Sequence, residues 1–540
     1  MSVRVDYCAS LSLVGTVLKY LSVPLLIPVV VALAYGETVA PFLPTIVVTL
    51  SVGWALERLS PEPDIGGREG FLMVATTWIA VALVGTIPYL IEAHGIPMLV
   101  EPVHPGSTLG NPANALFESM SGFTTTGATV LGAINVTDHT HGVMIWRQLT
   151  QWLGGMGIVV LAVAILPELS VGGAQLMDAE APGPGIEKLT PKIAETARVL
   201  WGAYLAITVV EILLLYGLHV VGPLVGMPDL APAMDAYNAV AHGLTTMPTG
   251  GFSPQAQSVE AFSAAVQWVI IPFMVLAGTN FALLWQFVAG SPRELVEDTE
   301  FRGYLGALGV LTALLAGLLF TGSFASGVPQ GATFDAAYLR DAATTLTGGL
   351  EPSIRHALFQ AVSIVTTTGY ASMDFDTWGT PAKYVILFGM FVGGSAGSTG
   401  GGIKIIRWIV VAKVLRRELF TTAHPEAVRP VRLGGNALED RAVRGILTFT
   451  LLYISIFFLG ALVLFLDAAR AGVGFTVLEI VSGTASTLGN VGPAFYRLGP
   501  MGGYLRFPDS SKLFMVALMW AGRLEILPLL VCLTPEYWRR

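Results

Sequence analysis

Charge is scarce in this 540-residue sequence: Asp, Glu, Lys and Arg together make up 12% of it, where a soluble domain has about a quarter. With 53% hydrophobic residues and a mean hydropathy of +0.67, that scarcity excludes an ordinary soluble chain and leaves a polytopic membrane protein, packed against lipid as well as against itself. The net charge of −8 is small for the length, so nothing points to a nucleic-acid partner. Cysteine is nearly absent. Cys8 and Cys532 allow one bridge at most and no metal-ligand spacing. The eight histidines form no HExxH pair. Without a nucleophile–base or metal constellation, an enzyme is not expected. No GxxxxGK[ST] is present, and no GxGxxG follows a strand, so any nucleotide control has to come from another protein. The N-terminal apolar run lacks a small-residue cleavage site and leads into more membrane sequence.

Long apolar runs, in contrast, are plentiful. Crossing the hydrocarbon takes roughly 20 apolar residues. Ten spans are read, at about 20–35 (slightly short, extended by the segment before it), 39–57, 70–93, 146–167, 196–220, 264–289, 303–323, 383–413 with an interruption, 444–466 and 513–533. Four shorter segments fall between them: ANALFESMSGF (113–123), AYNAVAHGL (236–244), RHALFQAVSIV (355–365) and FTVLEIVSGTA (475–485). About ten helical residues cover only ~15 Å, so these are re-entrant half-helices. Each runs into a polar stretch: TTGA (125–128), TGGF (249–252), TTGY (367–370) and NVGP (490–493). Their glycines, Gly127, Gly251, Gly369 and Gly492, recur at intervals of 124, 118 and 123 residues, the mark of an internal repeat. The unit is span, half-helix, glycine loop, span, four times in the same direction, with two extra spans at the N-terminus.

Lysine and arginine orient the chain. With the N-terminus cytoplasmic, Arg58, Arg68, Lys188, Lys192, Arg198, Arg293, Arg302 and the basic region from Lys404 to Arg444 fall inside, as do Arg539 and Arg540. The four loops then face outside. Irregular backbone at membrane depth is tolerated where it lines a water- or ion-filled path. Inward carbonyls can replace the hydration shell of a potassium ion. Glycine gives the backbone freedom this needs, and threonine is compatible with an extended chain. One such loop reads as an ordinary extracellular turn; four in register, each behind a half-helix, read as a ring.

This layout resembles the Trk/Ktr/HKT superfamily of potassium transporters over almost the whole chain. WRQLTQWLGGMGIVVLAVAILP (146–167), GGSAGSTGGGIKIIR (393–407) and GRLEILPLL (522–530) resemble that family's second span of repeat one, interrupted span of repeat three and last span. The two extra N-terminal spans favour its TrkH-type branch. The resemblance implies an all-α pore in the cell membrane, with potassium as the transported ion. It implies coordinating carbonyls on Thr125, Thr126 and Gly127; Thr249, Gly250 and Gly251; Thr367, Thr368 and Gly369; and Asn490, Val491 and Gly492. TLGNVGP also offers a register at Thr487–Leu488–Gly489, less like the family's fourth loop, and Pro248 is unusual before the second. Glycine in all four loops resembles potassium-selective members; sodium permeation stays open. The resemblance further implies a homodimer with one pore per protomer, and a cytoplasmic TrkA-like nucleotide-binding subunit for which the basic loop 404–444 is a contact surface.

The run GGSAGSTGGG (393–402) holds Gly393, Gly394, Gly397, Gly400, Gly401 and Gly402. Each glycine costs a helix about 1 kcal/mol, and the run is too dense for the four-residue spacing of small-residue helix packing. It is expected to be a gating loop beneath the filter, with Lys404 at its inner edge. Arg523 lies ten residues from Leu513 and ten from Leu533, near mid-bilayer, where a charge marks function. The resemblance places it in the conduction path as a positive barrier; the alternative is an ion pair with a buried acid such as Glu211. Glu118 and Glu479 are expected to brace the loops, and Lys19 to snorkel inward. The Gly- and Pro-rich linker 168–195 is expected to be cytoplasmic and loose. The expected units are 1–66 (extra spans), 67–180, 181–295, 296–425 with the gating loop, and 426–540. A secondary transporter is the competing reading, though such proteins commonly show inverted repeats or equal halves.

Overall fold

The computed structural model describes residues 5–60, 66–157, 193–434 and 436–538. The later part of the span expected at 146–167, the linker 168–195 up to residue 192, the unit boundary at 180, Lys188, Lys192, Arg539 and Arg540 lie outside the described residues. The regular structure of the rest is helical, joined by loops, apart from a short hairpin pairing Arg432–Leu433 with Asn436–Ala437.

Among the described residues, five helical stretches are long and apolar enough to cross a membrane without a sharp bend: Tyr7–Ala34, Arg68–His94, Ala197–Leu224, Thr299–Phe320 and Asp440–Arg470. Sequence periodicity predicts more continuous spans because hydropathy does not register a bend. The run at 264–289 is two helices, Ala264–Ala277 and Phe281–Val288, bent by 104°. The run at 513–533 is Asp509–Arg523 and Leu527–Leu533, bent by 116°. The run at 383–413 divides into Thr380–Gly389 and Ile405–Ala423 around the glycine-rich stretch.

The N-terminal helices pack through small residues. A Cβ at Gly15 would lie 2.5 Å from the Gly53 carbonyl oxygen, and one at Gly53 2.7 Å from that of Gly15. Two backbones in such contact exclude any side chain at either position. Lys19 bonds Glu57 Oε2 at 2.5 Å, both side chains being partly exposed.

Four short buried helices occupy the centre: Pro112–Phe123, Ala236–Thr246, Leu350–Val365 and Val477–Gly489. Side chains of Asn111, Asp235 and Thr476 cap the N-termini of the first, second and fourth, satisfying donors a helix start leaves open. Thr476 and Glu479 form a full capping box. The C-terminal ends of all four lead into the glycine loops.

Candidate functional site: four loops and a glycine run

The four helix ends share one backbone path. Thr125, Thr249, Thr367 and Asn490 have φ of 52, 56, 58 and 55°. Two residues on, Gly127, Gly251, Gly369 and Gly492 have φ of 76, 78, 80 and 104°. The residue between bonds back five positions: Thr126 N–H to Ser121 O (2.8 Å), Gly250 to Thr245 (2.9 Å), Thr368 to Ser363 (2.8 Å) and Val491 to Ser486 (2.9 Å). This is the six-to-one bond of a Schellman helix end, which requires a left-handed residue just past the helix. Glycine usually fills that place. Here three β-branched threonines do, so these threonines are not in the extended form their propensity favours. A non-glycine residue held left-handed costs of order 1–3 kcal/mol and persists only where its surroundings fix it. The fourth loop follows the same path with Asn490 as its left-handed residue, while Gly489 still ends the helix.

The loops meet in a closed cycle. A Cβ at Gly127 would lie 2.2 Å from Gly250 O, at Gly251 1.9 Å from Thr368 O, at Gly369 2.2 Å from Val491 O, and at Gly492 2.7 Å from Thr126 O. Each glycine thus stands against the carbonyl of the middle residue in the next loop, and the fourth stands against the first. All four glycines line one cavity, of about 480 Å³.

Charged side chains brace this ring from behind. Glu118 accepts from Val130 N–H (2.9 Å) and pairs with Arg147 Nε (2.7 Å). Arg147 Nη1 in turn reaches Ser253 O at 3.1 Å, beyond the second loop. Beyond the third, Asp376 Oδ2 accepts from Tyr496 N–H (2.6 Å) and Oδ1 lies 3.6 Å from Lys383 Nζ. Burial, then neighbouring Asp374, pushes the Asp376 carboxyl up to about 8. Burial raises Glu260 to about 7.

The glycine run lies across the other side of the helix ends. Gly401 N–H donates to Thr367 Oγ1 (2.7 Å), and Thr399 Oγ1 donates to Met247 O (3.0 Å). A Cβ at Gly401 would be 2.5 Å from Gly489 O, and one at Gly400 2.9 Å from Thr366 O. Ala396 N–H reaches Glu300 Oε1 at 2.6 Å, and Lys404 Nζ donates to Gly400 O. Gly393 would place a Cβ 2.5 Å from Gly401 O, and Gly394 2.8 Å from Gly278 O. Gly397 and Gly402 have φ of 71 and 67°. The run is therefore a folded, hydrogen-bonded loop. Four of its glycines serve close approach of backbones and two serve conformation.

Arg523 ends the helix Asp509–Arg523. Its Nη1 donates to Thr399 O (2.7 Å) and its Nη2 to Gly154 O and Gly155 O (2.8 Å each). It ties the run to the end of the helix His141–Gly155, where the carbonyls carry partial negative charge. With Lys404 and residues 397–402 it lines a second cavity, of about 830 Å³. The sequence did not disclose the partner of Glu525, which bonds Arg407 Nη2 and so joins the bend in the last span to the helix after the run. The only signal was a pair of opposite charges in two apolar runs.

Helices of membrane-spanning length around four short buried helices define a multi-pass membrane protein built about a central pair of cavities. The chain belongs to the TrkH family, described as a cation transport protein, whose profile matches residues 41–539. It is 34% identical over 538 residues to the Trk system potassium uptake protein TrkH of Halomonas elongata, covering 98% of this chain and 99% of that one. To the protein of the same name in Escherichia coli strain K12 it is 33% identical over 535 residues, covering 98% of each. Among solved structures, the potassium transporter TrkH from Vibrio parahaemolyticus matches with a TM-score of 0.79 at 31% identity, over 99% of this chain and 100% of that one.

Proposed function

We propose that this chain takes up potassium across the cell membrane through a filter formed by its four loops, with their mouths extracellular. The observation that carries the reading is the cycle of left-handed glycines, each packed on the next loop's middle carbonyl. Within each loop the hand of the backbone alternates. Alternation turns successive peptide planes the same way, so carbonyls that a strand would point to opposite sides can face one axis. Carbonyls from Thr125–Gly127, Thr249–Gly251, Thr367–Gly369 and Asn490–Gly492 would replace an ion's hydration shell. The half-helix C-termini add the negative ends of four dipoles.

The run 393–402 with Lys404 is read as the gate, since it closes the inner side of the ring and lines the inner cavity. Arg523 places its charge there. The five units expected from the sequence then correspond to two extra spans and four pore repeats. The relatives named as parts of a Trk system support a second component, for which we propose a cytoplasmic nucleotide-binding subunit of the TrkA kind at the basic segment 404–444, with the pore protein itself a homodimer.

Flux of rubidium and sodium into liposomes holding the purified protein tests the filter. The wild type should favour rubidium, and Gly369→Ser, whose Cβ meets Val491 O at 2.2 Å, should erode that preference in a protein that still purifies intact. An unchanged ratio in this variant would refute the ring.

A further inference from the structure

We propose that Gln151 is the side chain the second loop lacks, and that it sets cation selection at that corner. The inference rests on the filter reading above. In the first loop Thr124 Oγ1 and Thr126 Oγ1 are 2.7 Å apart, and in the third Thr366 Oγ1 and Thr368 Oγ1 are 2.7 Å apart. Each pair is a hydroxyl brace across the left-handed residue. In the fourth, Asn490 Nδ2 donates to Thr126 Oγ1 (2.9 Å) and Met519 O (3.0 Å). The second loop has Pro248 and Gly250 where the first has Thr124 and Thr126, so neither hydroxyl exists.

Gln151 reaches in from the helix His141–Gly155 of the preceding unit and is fully buried. Its Nε2 donates to Gly250 O (2.6 Å) and its Oε1 accepts from Phe252 N–H (3.0 Å), so the carboxamide straddles Gly251. The two bonds fix which end of the amide is which. Gly250 does not have a left-handed φ; space is what demands glycine there. A Cβ at Gly250 would sit 2.4 Å from the carboxamide carbon of Gln151 and 2.9 Å from its Cβ. The site holds Gln151 or a side chain on residue 250, never both.

The consequence is electrostatic. Of the four middle carbonyls, on Thr126, Gly250, Thr368 and Val491, only that of Gly250 accepts a side-chain hydrogen bond among the described residues. A carbonyl has two lone pairs; the amide takes one, leaving a weaker pull on a cation at one corner. Selection depends on the number and field strength of such carbonyls.

The test uses the full chain in liposomes, with rubidium and sodium fluxes and melting temperature read together. Gln151→Leu keeps bulk and removes both bonds. Its rubidium-to-sodium ratio should shift about fivefold, the factor for one hydrogen bond of about 1 kcal/mol. Gly250→Ala, with Gln151 in place, should lose flux through the clash. The triple variant Gln151→Ala, Pro248→Thr, Gly250→Thr rebuilds the first loop's hydroxyl brace in the second but supplies no donor to the residue-250 carbonyl, so it should fold while keeping the roughly fivefold shift of Gln151→Leu.

Gly369→Ser, in another loop, is the reference. If it shifts selectivity while Gln151→Leu does not, the role of Gln151 is refuted and the ring stands. If neither shifts it, both fall. A Gln151→Leu protein with lower flux at the wild-type ratio also refutes the proposal, since that is a structural defect alone. Should Gln151→Leu fail to fold, the triple variant decides: folded with an altered ratio it supports the proposal, folded with the wild-type ratio it overturns it.

Discussion

The four loops and the glycine run reach close packing in opposite ways. The loops have unlike sequences, TTG, TGG, TTG and NVG, and one backbone conformation. The run is nearly uniform in sequence and irregular in path, and what holds it comes from separate places: Thr367, Glu300, Lys404 and Arg523. In the loops the order lies in the main chain and is repeated four times. In the run, backbone contacts at Gly393, Gly394, Gly400 and Gly401 follow no repeat and are supplemented by side chains, each present once. The loops should therefore be intolerant of added atoms, and the run sensitive in addition to the loss of single partners.

The contrast breaks most sharply at Gly251. Its Cβ would lie 1.9 Å from Thr368 O at φ 78°, against 2.7 Å from Thr126 O for Gly492. Backbone atoms cannot swing aside as a side chain can. Gly251→Ala is expected to lower selective rubidium flux at least about tenfold, the equivalent of 1.4 kcal/mol, and Gly492→Ala by less. Equal losses in paired flux assays would mean that the cycle is not held by contact at these glycines.

Next comes Arg523→Ala, which leaves the carbonyls of Thr399, Gly154 and Gly155 without this donor. Each lost bond is worth about 1 kcal/mol, so melting temperature should fall modestly while basal cation flux rises as the run is released. A large fall in stability with no gain in flux would show that the arginine only holds the fold together.

The smallest effect lies outside both regions, at Asp376. Its carboxyl is raised from 3.8 to about 8, so the folded state holds the proton more tightly than the unfolded one. Its contribution to stability is present at pH below about 4 and is lost as pH rises towards about 8. Asp376→Asn keeps an acceptor for Tyr496 N–H and removes the titration. Melting temperatures at pH 5 and pH 8 should differ less in this variant than in wild type, with other buried groups, Glu260 among them, supplying the remaining slope. An identical difference in the two proteins would exclude Asp376 as its source.

How far the sequence could be read follows the same division. The helical membrane class was legible in the scarcity of charge and the length of the apolar runs. The places where chain must leave the helix were legible at glycines that sit at positive φ, such as Gly127 and Gly369. The conformation of Thr125, Thr249 and Thr367 was not: local propensity opposes it, and only the bonds from the following residue back to Ser121, Thr245 and Ser363 impose it. Nor was the break after Arg523, where Glu525 and Ile526 take φ of 52 and 63°. Nothing in RLEIL marks a turn; the bend comes with a contact to Arg407, 118 residues away. Gln151 was not singled out, since its partner Gly250 O is a main-chain atom that no side-chain pattern encodes.

The cycle of loops also bears on how the chain is made. Three of its junctions join consecutive units and can form soon after each emerges during synthesis. The fourth joins Asn490 to Thr126 across 364 residues. Loop-closure entropy rises only slowly with length, so the cost of this last junction is mainly one of waiting. Until the final unit is inserted, the first loop has a vacant flank, and its carbonyl at Thr126 has no glycine against it. A chain stopped before residue 490 would hold three-quarters of a ring, with the carbonyl of Thr126 and the glycine of the third loop each lacking its neighbour.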